Sequence, residues 1–292
     1  MKGSQSSITA ENNALLRAHE AMRPESERIC YDPYAIYFMP DRILSSADRT
    51  DQIDMAILDW ETHFPGVCNS ILARTRFIDD GLEEALKDGI EQLVILGAGY
   101  DTRAFRFSGI KRKVMVFELD HPTTQKRKLK IIQRQMDGNT PNIQYIPIDF
   151  AKENLQDKLL AYGYNDQSKT LFIWEGVTYY ISAPAVDRTF GFIKRHAPFK
   201  SSIVFDYFPP TVADGTTRLP EAQTLREGLK RIGEEILFGI EPAQLSVFMK
   251  ERGFHVVKNL TSTDYKKAYF KGHNQRRNVS DMFIFVQAMV SG

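Results

Sequence analysis

Short apolar runs recur along the chain from residue 93 onward, and each has the length of a β-strand. Stretches with helical spacing separate the first five runs. Continuous apolar strands that alternate with helices are typical of a parallel sheet buried on both faces. The pattern therefore predicts a doubly wound α/β fold. The seven runs are 93–99, 114–120, 143–150, 170–176, 202–208, 254–260 and 282–289.

The last run differs from the others in how the chain reaches it. It follows the polar segment KGHNQRRNVSD (271–281), which has no room or periodicity for a crossover helix. A parallel connection needs such a crossover, so the last strand is predicted to pair antiparallel. A seven-stranded sheet whose last strand is antiparallel is typical of class I methyltransferases more than of nicotinamide dehydrogenases.

Two regions lie outside this alternation of strands and helices. Residues 1–90 have helical periodicity and are predicted to form an N-terminal helical cap, and residues 209–252 an inserted cap. Between them, residues 91–208 form the predicted cofactor-binding core, and residues 253–292 form a C-terminal strand pair. Both caps are expected over the carboxyl ends of the strands, where open α/β sheets bind ligands. No repeat or low-complexity linker divides the chain, so we predict a single domain over 1–292.

Composition narrows the classes of partner. The chain has 292 residues, with 38 Lys and Arg against 37 Asp and Glu, so its net charge does not attract nucleic acid or anionic membranes. No apolar run approaches the ~20 residues that cross a bilayer, and the amino terminus lacks the apolar core of a signal peptide. Cys30 and Cys68 form no CxxC pair, and the six histidines have no metal-ligand spacing. We predict a cytoplasmic protein without a metal, membrane or nucleic-acid partner.

A glycine-rich turn follows the first strand, in ILGAGYDTRAF (95–105). Gly97 and Gly99 allow the backbone to turn sharply and to approach a ligand closely. The dinucleotide-binding fingerprint needs a third small residue, and this chain has Thr102 in that position. The turn therefore favours a ligand that carries no phosphate.

Carboxylates stand at the ends of the next three strands. Asp120 lies about 20 residues beyond the glycines, where a carboxylate can accept both hydroxyls of a ribose. Asp149, followed by Phe150, can receive the amino group of an adenine, although a helix cap is the alternative for both aspartates. Glu175 emerges from an apolar strand and favours a cationic ligand group. Together these residues describe a site for a positively charged nucleoside, and S-adenosylmethionine fits that description.

The order and spacing of these motifs resemble the leucine carboxyl methyltransferase family of S-adenosylmethionine-dependent O-methyltransferases. The chain is most similar to a microbial branch associated with polyketide and secondary-metabolite pathways. The resemblance implies a class I, Rossmann-like methyltransferase fold and S-adenosyl-L-methionine as the cofactor. The motifs, which span nearly the whole chain, are TAENNALLRAHE, ICYDPYAIYF, ARTRFIDD, VILGAGYDTRAFRF, FELDHP, IPIDF and WEGVTYYI.

The resemblance also implies roles for individual residues. Gly97 lies against the methionine part of the cofactor, Asp120 binds the ribose, and Glu175 lies near the amino-acid end. Arg74 matches the arginine that binds the cofactor carboxylate, and Arg17 matches a basic residue that closes over the site. From the residues alone, one alternative stays open for each of two other arginine roles. For Arg17 it is an ion pair with Glu20 on the helix surface, and for Arg103 it is bracing of the turn through Asp101. The cofactor-binding residues implied in full are Arg17, Arg74, Gly97, Ala98, Gly99, Asp101, Asp120, Asp149, Phe150 and Glu175.

The acceptor pocket is expected just beyond the fourth and fifth strands. Its candidate residues are Tyr179, Tyr180, Asp206 and Tyr207, and plain packing is the alternative for the tyrosines. A carboxylate acceptor needs no general base, whereas an alcohol needs one. The sequence shows no Ser-His-Asp arrangement and leaves both acceptors open. We predict a small-molecule acceptor, chosen by the segment 209–242.

Two other functions are compatible with parts of the sequence. A nicotinamide oxidoreductase shares Asp120 but needs the missing third glycine and a catalytic Tyr-Lys pair or histidine. A non-catalytic methyltransferase-like partner protein would keep the fold and lose the strand-end acids. All of these acids are present, which favours the methyltransferase.

Overall fold

A seven-stranded sheet forms the centre of the protein, as seen in a computed structural model that describes residues 7–46, 48–110, 113–136, 142–150 and 152–292. The strands lie side by side in the order β3-β2-β1-β4-β5-β7-β6. Their bounds are β1 Gln92–Leu96, β2 Met115–Asp120, β3 Ile143–Pro147, β4 Thr170–Trp174, β5 Ser202–Tyr207, β6 Phe254–Leu260 and β7 Ile284–Val290.

The pairing of the strands confirms the predicted fold class. Strands β1 to β5 pair in parallel, and β7 pairs antiparallel with both β5 and β6. The chain forms a short helix, Ser262–Tyr269, before the polar segment that leads into β7. The polar segment 271–281 contains the 3-10 helix Gly272–Arg276 and no α-helix. The antiparallel pairing of β7 is as predicted.

Helices cover both faces of the sheet and the carboxyl ends of its strands. The four before β1 are α1 Ile8–Met22, α2 Asp41–Leu44, α3 Arg49–His63 and α4 Val67–Lys87. Those within the predicted core are α5 Arg103–Arg106, α6 Pro122–Gln135, α7 Leu155–Ala161 and α8 Ala183–His196. The last four are α9 Pro210–Asp214, α10 Pro220–Arg231, α11 Leu245–Glu251 and α12 Ser262–Tyr269. The division into caps, core and strand pair stays our proposal.

Side chains of the central strands alternate between two hydrophobic cores. In β1, Leu93 and Ile95 belong to one core, which includes the buried face of α4, and Val94 and Leu96 belong to the other. The alternation follows from the two-residue period of a strand. All five residues of β1 are buried, which explains why the central strands appear in the sequence as continuous apolar runs.

Local contacts hold both predicted caps at the carboxyl edge of the sheet. An ideal Cβ on Gly99 would lie 3.3 Å from Ala10 Cβ, so α1 packs directly against the glycine turn after β1. The loop after α10 is held by two backbone bonds, in which Leu237 N–H donates to Tyr179 O at 2.7 Å and Ile240 N–H to Phe208 O at 3.0 Å. Within the described residues, no helix has the length and apolarity that a membrane span requires.

Candidate functional site

A cavity of about 690 Å³ lies at the carboxyl ends of β1 to β4. The glycine turn after β1 forms its floor, α1 forms one wall, and the loop at residues 233–237 forms another. This is the position at which open α/β sheets bind ligands, because the loops diverge there and leave a crevice. Every cofactor-binding residue named from the sequence lines this cavity.

The turn after β1 needs glycine at its first position. Gly97 has a φ of +72°, and a Cβ there would overlap the side chain of Val177. The amides of Gly97 and Ala98 both donate to Leu119 O, at 2.8 and 2.9 Å, which holds the turn against the end of β2. The backbone of the turn is therefore exposed to the cavity in one fixed conformation.

Asp120 is the carboxylate nearest this turn. It accepts hydrogen bonds from the backbone amide of Gly99 and, at 2.5 Å, from that of His121. Burial raises the pKa of Asp120, and the two amides partly oppose that rise. His121, not Asp120, is the N-cap of α6, so the helix-cap alternative for Asp120 does not hold. The amides orient Asp120 toward the cavity that it lines.

Asp149 and Phe150 follow β3, the strand beside β2, and also line the cavity. The side chain of Asp149 lies 3.1 Å from Lys152 Nζ, and its backbone amide donates to Glu153 Oε2 at 2.8 Å. Both residues are partly exposed. An aromatic ring beside a carboxylate provides one flat apolar surface and one hydrogen-bond acceptor, a combination suited to a purine base.

Glu175 lies between two buried arginines at the end of β4. Its Oε1 accepts from Arg74 Nε at 3.1 Å, and its Oε2 accepts from Arg103 Nη1 at 2.8 Å. Burial would raise the pKa of Glu175, but these two guanidinium groups lower it to about 2. Glu175 is therefore a carboxylate at neutral pH and also lines the cavity.

Arg74 is almost fully buried, with 2 % of its surface exposed. Besides Glu175, it donates from Nη1 to Asp206 Oδ2 at 3.0 Å and to Tyr179 Oη at 3.2 Å. Asp206 in turn accepts the backbone amide of Gly176 at 2.6 Å. The acids thus hold the guanidinium at the cavity edge and fix the turn after β4.

Arg103 and Arg106 extend this network under the glycine turn. Arg103 bonds to Asp101 and, at 2.7 Å, to Asp79, so it does brace the turn through Asp101. Arg106 also donates to Asp79, at 2.8 Å. Sequence reasoning missed Asp79 and Arg106, although both lie within the quoted motifs ARTRFIDD and VILGAGYDTRAFRF.

Arg17 connects α1 to the same network. It donates to Asp32 Oδ2 at 2.9 Å and to Tyr100 O at 2.8 Å. The alternative pair with Glu20 is wrong, because Glu20 is fully buried and accepts from Arg277 at 2.9 Å. Burial would raise the pKa of Asp32, but Arg17 and Arg106 lower it. Asp32 was also missed from the sequence, and it lies in the motif ICYDPYAIYF.

The four acceptor-pocket candidates lie in different places. Tyr180 lines the cavity, whereas Tyr179 and Asp206 lie behind its wall, where both contact Arg74. The ring of Tyr179 stacks on Phe208 with centroids 3.9 Å apart. Tyr207 is fully buried in the hydrophobic core on the other face of the sheet. Of the four candidates, Tyr180 lines the cavity, and the prediction that Tyr179, Asp206 and Tyr207 line it is wrong.

Residues of the two caps complete the lining, and sequence reasoning did not name them. They come from the first half of α1 and from the loop after α10. Thr9 Oγ1 donates to Glu234 Oε2 at 2.5 Å, so the caps contact each other although 225 positions separate the two residues. No local sequence signal predicts such a contact.

Within the described residues, no group of three or more His, Cys, Asp or Glu side chains is arranged to hold a metal ion.

The strand order, the antiparallel β7 and the cavity at the strand ends are those of a class I, Rossmann-like methyltransferase fold. Two solved structures support this fold. A DUF574 family protein from Streptomyces avermitilis aligns with a TM-score of 0.59 at 14% identity, over 93% of this chain and 99% of that one. A protein from Thermobifida fusca, provisionally named as a methyltransferase, aligns with a TM-score of 0.56 at 16% identity, over 88% and 94%.

The model of the family "Leucine carboxyl methyltransferase" matches residues 10–194, which is more than half of the chain. The chain belongs to this family, as the resemblance of its motifs indicated. A Bacillus subtilis relative, YktD, is 29% identical over 248 residues, which are 83% of this chain and 79% of that protein. A Mycobacterium avium relative is 31% identical over 193 residues, 64% of this chain and 62% of that protein. Both are provisionally named as S-adenosyl-L-methionine-dependent methyltransferases.

Proposed function

We propose that the protein is an S-adenosyl-L-methionine-dependent O-methyltransferase that acts on a carboxylate or hydroxyl of a small-molecule acceptor. The observation that carries the proposal is the cavity itself. It places the ionised Glu175 and the amide-oriented Asp120 on either side of a glycine turn. Membership of the methyltransferase family and the names of the relatives support the same cofactor.

The donor set suits this cofactor better than a dinucleotide. Asp120 offers carboxylate oxygens for the two hydroxyls of a ribose, and Phe150 offers an apolar face for an adenine. Glu175 suits the α-ammonium group, and the positive charge of Arg74 suits the α-carboxylate. A pyrophosphate would meet the carboxylate of Asp120 beside the glycine turn, and this carboxylate repels it.

The residues of this chain act mainly by positioning. When bound, the cofactor would supply an electrophilic methyl group on a sulfonium, so that an acceptor oxygen can attack the methyl carbon directly with the sulfur as the leaving group. The buried network around Arg74 and Arg103 holds Glu175 in place before any ligand arrives, so no reorganisation is needed at the moment of reaction. The α1 helix and the loop after α10 narrow the cavity. Alignment of the reacting groups accounts for up to ~7–11 kcal/mol of barrier lowering in such sites.

Calorimetric titration of the purified protein tests the proposal. S-adenosylmethionine and its demethylated product S-adenosylhomocysteine are expected to bind with micromolar affinity, and NAD is not. Asp120→Ala is expected to weaken the binding by tenfold or more, because it removes the ribose acceptor. Asp120→Asn keeps the shape of the side chain and one of the two oxygens that accept the Gly99 and His121 amides, so it perturbs the turn less than Asp120→Ala does. Tight binding of NAD, or no binding of either sulfur compound, would contradict the proposed function.

A further inference from the structure

The cavity has two chemically different halves. One half, at the ends of β1 to β3, carries the residues that we assign to the cofactor. The other half is formed by the start of α1, the turn after β4 and the loop after α10. Its polar side chains are Thr9, Asn13, Tyr180, Glu234 and Glu235, and we call this part the acceptor half.

The cations that line the cavity are paired with carboxylates of the chain. Four arginines line the cavity, and each is bonded to carboxylates of the chain: Arg17 to Asp32, Arg74 to Glu175 and Asp206, Arg103 to Asp79, Asp101 and Glu175, and Arg106 to Asp79. Lys152 lies beside Asp149 at the end of β3. Arg74 reaches the turn after β4, where a Cβ on Gly176 would lie 3.3 Å from its Nη1, but Glu175 and Asp206 offset its charge. A carboxylate acceptor there would face Glu234, while each arginine among the described lining residues is already paired with a carboxylate of the chain. An ammonium ion has no lone pair with which to accept a methyl group.

Glu234 is held firmly in this position. Its carboxylate accepts from Thr9 at 2.5 Å, and its backbone amide donates to Leu229 O at 2.9 Å. Three residues further on, the backbone N–H of Leu237 donates to Tyr179 O at 2.7 Å and ties the loop to the turn after β4. Ile236 is buried and packs beneath the loop. A carboxylate with two oxygens can accept several hydrogen bonds, so the bond from Thr9 leaves capacity for a ligand.

The tyrosine beside Glu234 does not compete with it as a base. Burial, and then the charge of Glu234, raise the pKa of Tyr180 above its ordinary value, so its hydroxyl stays protonated. A protonated tyrosine can donate a hydrogen bond but cannot take a proton. Of the two carboxylates that we assign to this half, Glu234 is partly buried and Glu235 is exposed.

We propose that the acceptor presents a neutral hydroxyl, and that Glu234 selects this group and takes its proton. This inference rests on the proposed function and narrows its acceptor class. In the transfer, a lone pair of the acceptor oxygen forms the bond to the methyl carbon, and the carbon–sulfur bond breaks with its electron pair remaining on sulfur. The hydroxyl proton passes to the carboxylate of Glu234. The sulfonium and carboxylate charges are both neutralised, and the products are a methyl ether and a thioether.

A binding experiment tests the selection without relying on turnover. Phenol, benzoate and benzylamine are titrated by ligand-observed NMR against the full-length protein saturated with S-adenosylhomocysteine. Phenol is expected to bind at least tenfold more tightly than benzoate. In Glu234→Gln, benzoate is expected to gain affinity, so that the ratio falls below threefold. Glu241→Gln is the matched control, because Glu241 is an exposed carboxylate on the same cap segment and does not line the cavity.

A kinetic experiment tests the proton transfer. Transfer of labelled methyl groups to phenolic acceptors is expected to fall by about a hundredfold or more in Glu234→Gln, since a positioned base typically contributes that much. Affinity for S-adenosylhomocysteine and the midpoint of thermal unfolding should change little in this variant, which separates a lost base from a lost fold.

Several outcomes would overturn the inference. They are tighter binding of benzoate or benzylamine than of phenol, no binding of phenol to the saturated protein, and unchanged transfer in Glu234→Gln. Failure of the proposed function gives a different result, because wild-type protein would then not bind S-adenosylhomocysteine in the first step.

Discussion

The two walls of the cavity are built from different interactions. The wall at the strand ends contains buried arginines and carboxylates that contact one another, and Arg74 and Asp206 are both 2 % exposed or less. In the wall formed by the caps, the neutral hydroxyl of Thr9 donates to the partly exposed carboxylate of Glu234 and joins one cap to the other. The strand-end wall therefore depends on desolvated ion pairs, whereas this contact between the two caps is a hydrogen bond near solvent.

The difference shows how one fold can keep a cofactor and change its acceptor. Removing one member of a buried ion network leaves an unpaired charge in a medium that solvates it poorly, so such networks tolerate little change. A hydrogen bond near solvent can be replaced by water at small cost. We expect the strand-end wall to determine the geometry of cofactor binding, and the cap wall to vary with the acceptor.

The largest effect is expected from breaking the strand-end wall. Asp206→Ala leaves the buried Arg74 without its main partner and should lower the free energy of unfolding by ~3–5 kcal/mol. Asp187→Ala is a matched control, because Asp187 pairs with Arg252 at 2.7 Å but is largely exposed, and its loss should cost about 1 kcal/mol or less. Urea denaturation measures both. Equal losses would contradict the contrast between the walls.

The next effect concerns the turn between the walls. Gly97→Ala should destabilise the protein by roughly 2–3 kcal/mol, because the new Cβ combines a strained φ with overlap of Val177. Gly89 has a similar φ of +75° and nothing within 4 Å of an added Cβ. Gly89→Ala therefore measures the strain alone, about 1 kcal/mol. If the two variants unfold at the same urea concentration, the close approach at Gly97 is unimportant.

The third prediction concerns the pH dependence of the strand-end wall. Its cause is the lowering of the pKa of Glu175 to about 2 in the folded protein, below its ordinary value of 4.5. A lowered carboxyl pKa stabilises the fold above pH 4.5, and this stabilisation disappears as the pH falls toward 2. The slope contributed in that window is up to about 1.4 kcal/mol per pH unit, the value for one proton. Glu175→Gln should unfold with a correspondingly shallower slope between pH 4.5 and 2, and identical slopes would contradict the ion pairs with Arg74 and Arg103.

The smallest effect is expected at the cap wall. Thr9→Val removes the hydrogen bond to Glu234 and should cost about 1 kcal/mol or less of stability. The amides of the first turns of α1 should exchange with solvent faster, as measured by hydrogen–deuterium exchange. Thr9→Ser keeps the hydroxyl and serves as the control. A loss of several kcal/mol in Thr9→Val would mean that both walls are equally rigid.

Much of the fold could be predicted because its signals are local. Each buried strand is a continuous apolar run, and the polar segment before β7 excludes a crossover helix, so the antiparallel last strand follows from the sequence. The family was recognised because its motifs are contiguous and ordered. The residues named for the cofactor lie at strand ends, and the parallel direction of these strands brings their ends to one edge.

The acceptor side was harder to predict because it depends on side-chain direction and on distant segments. Asp206 and Tyr207 are neighbours on β5, and neighbours on a strand point to opposite faces, so both could not line one cavity. Asp206 lies under Arg74, and Tyr207 lies in the core of the other face. The roles of Asp32 and Asp79 depend on packing of the N-terminal helices against the turn after β1.

The sequence by itself determined the strand pattern, the family, the glycine turn and the positions of Asp120, Asp149 and Glu175. These features depend on local backbone preference and on the period of burial, which a chain carries in its order of residues. Only the tertiary structure decided which arginine pairs with which carboxylate and that Glu234 lies in the cavity opposite Thr9. Such pairings follow from the packing of segments far apart in the chain, and charge alone does not distinguish among many possible partners.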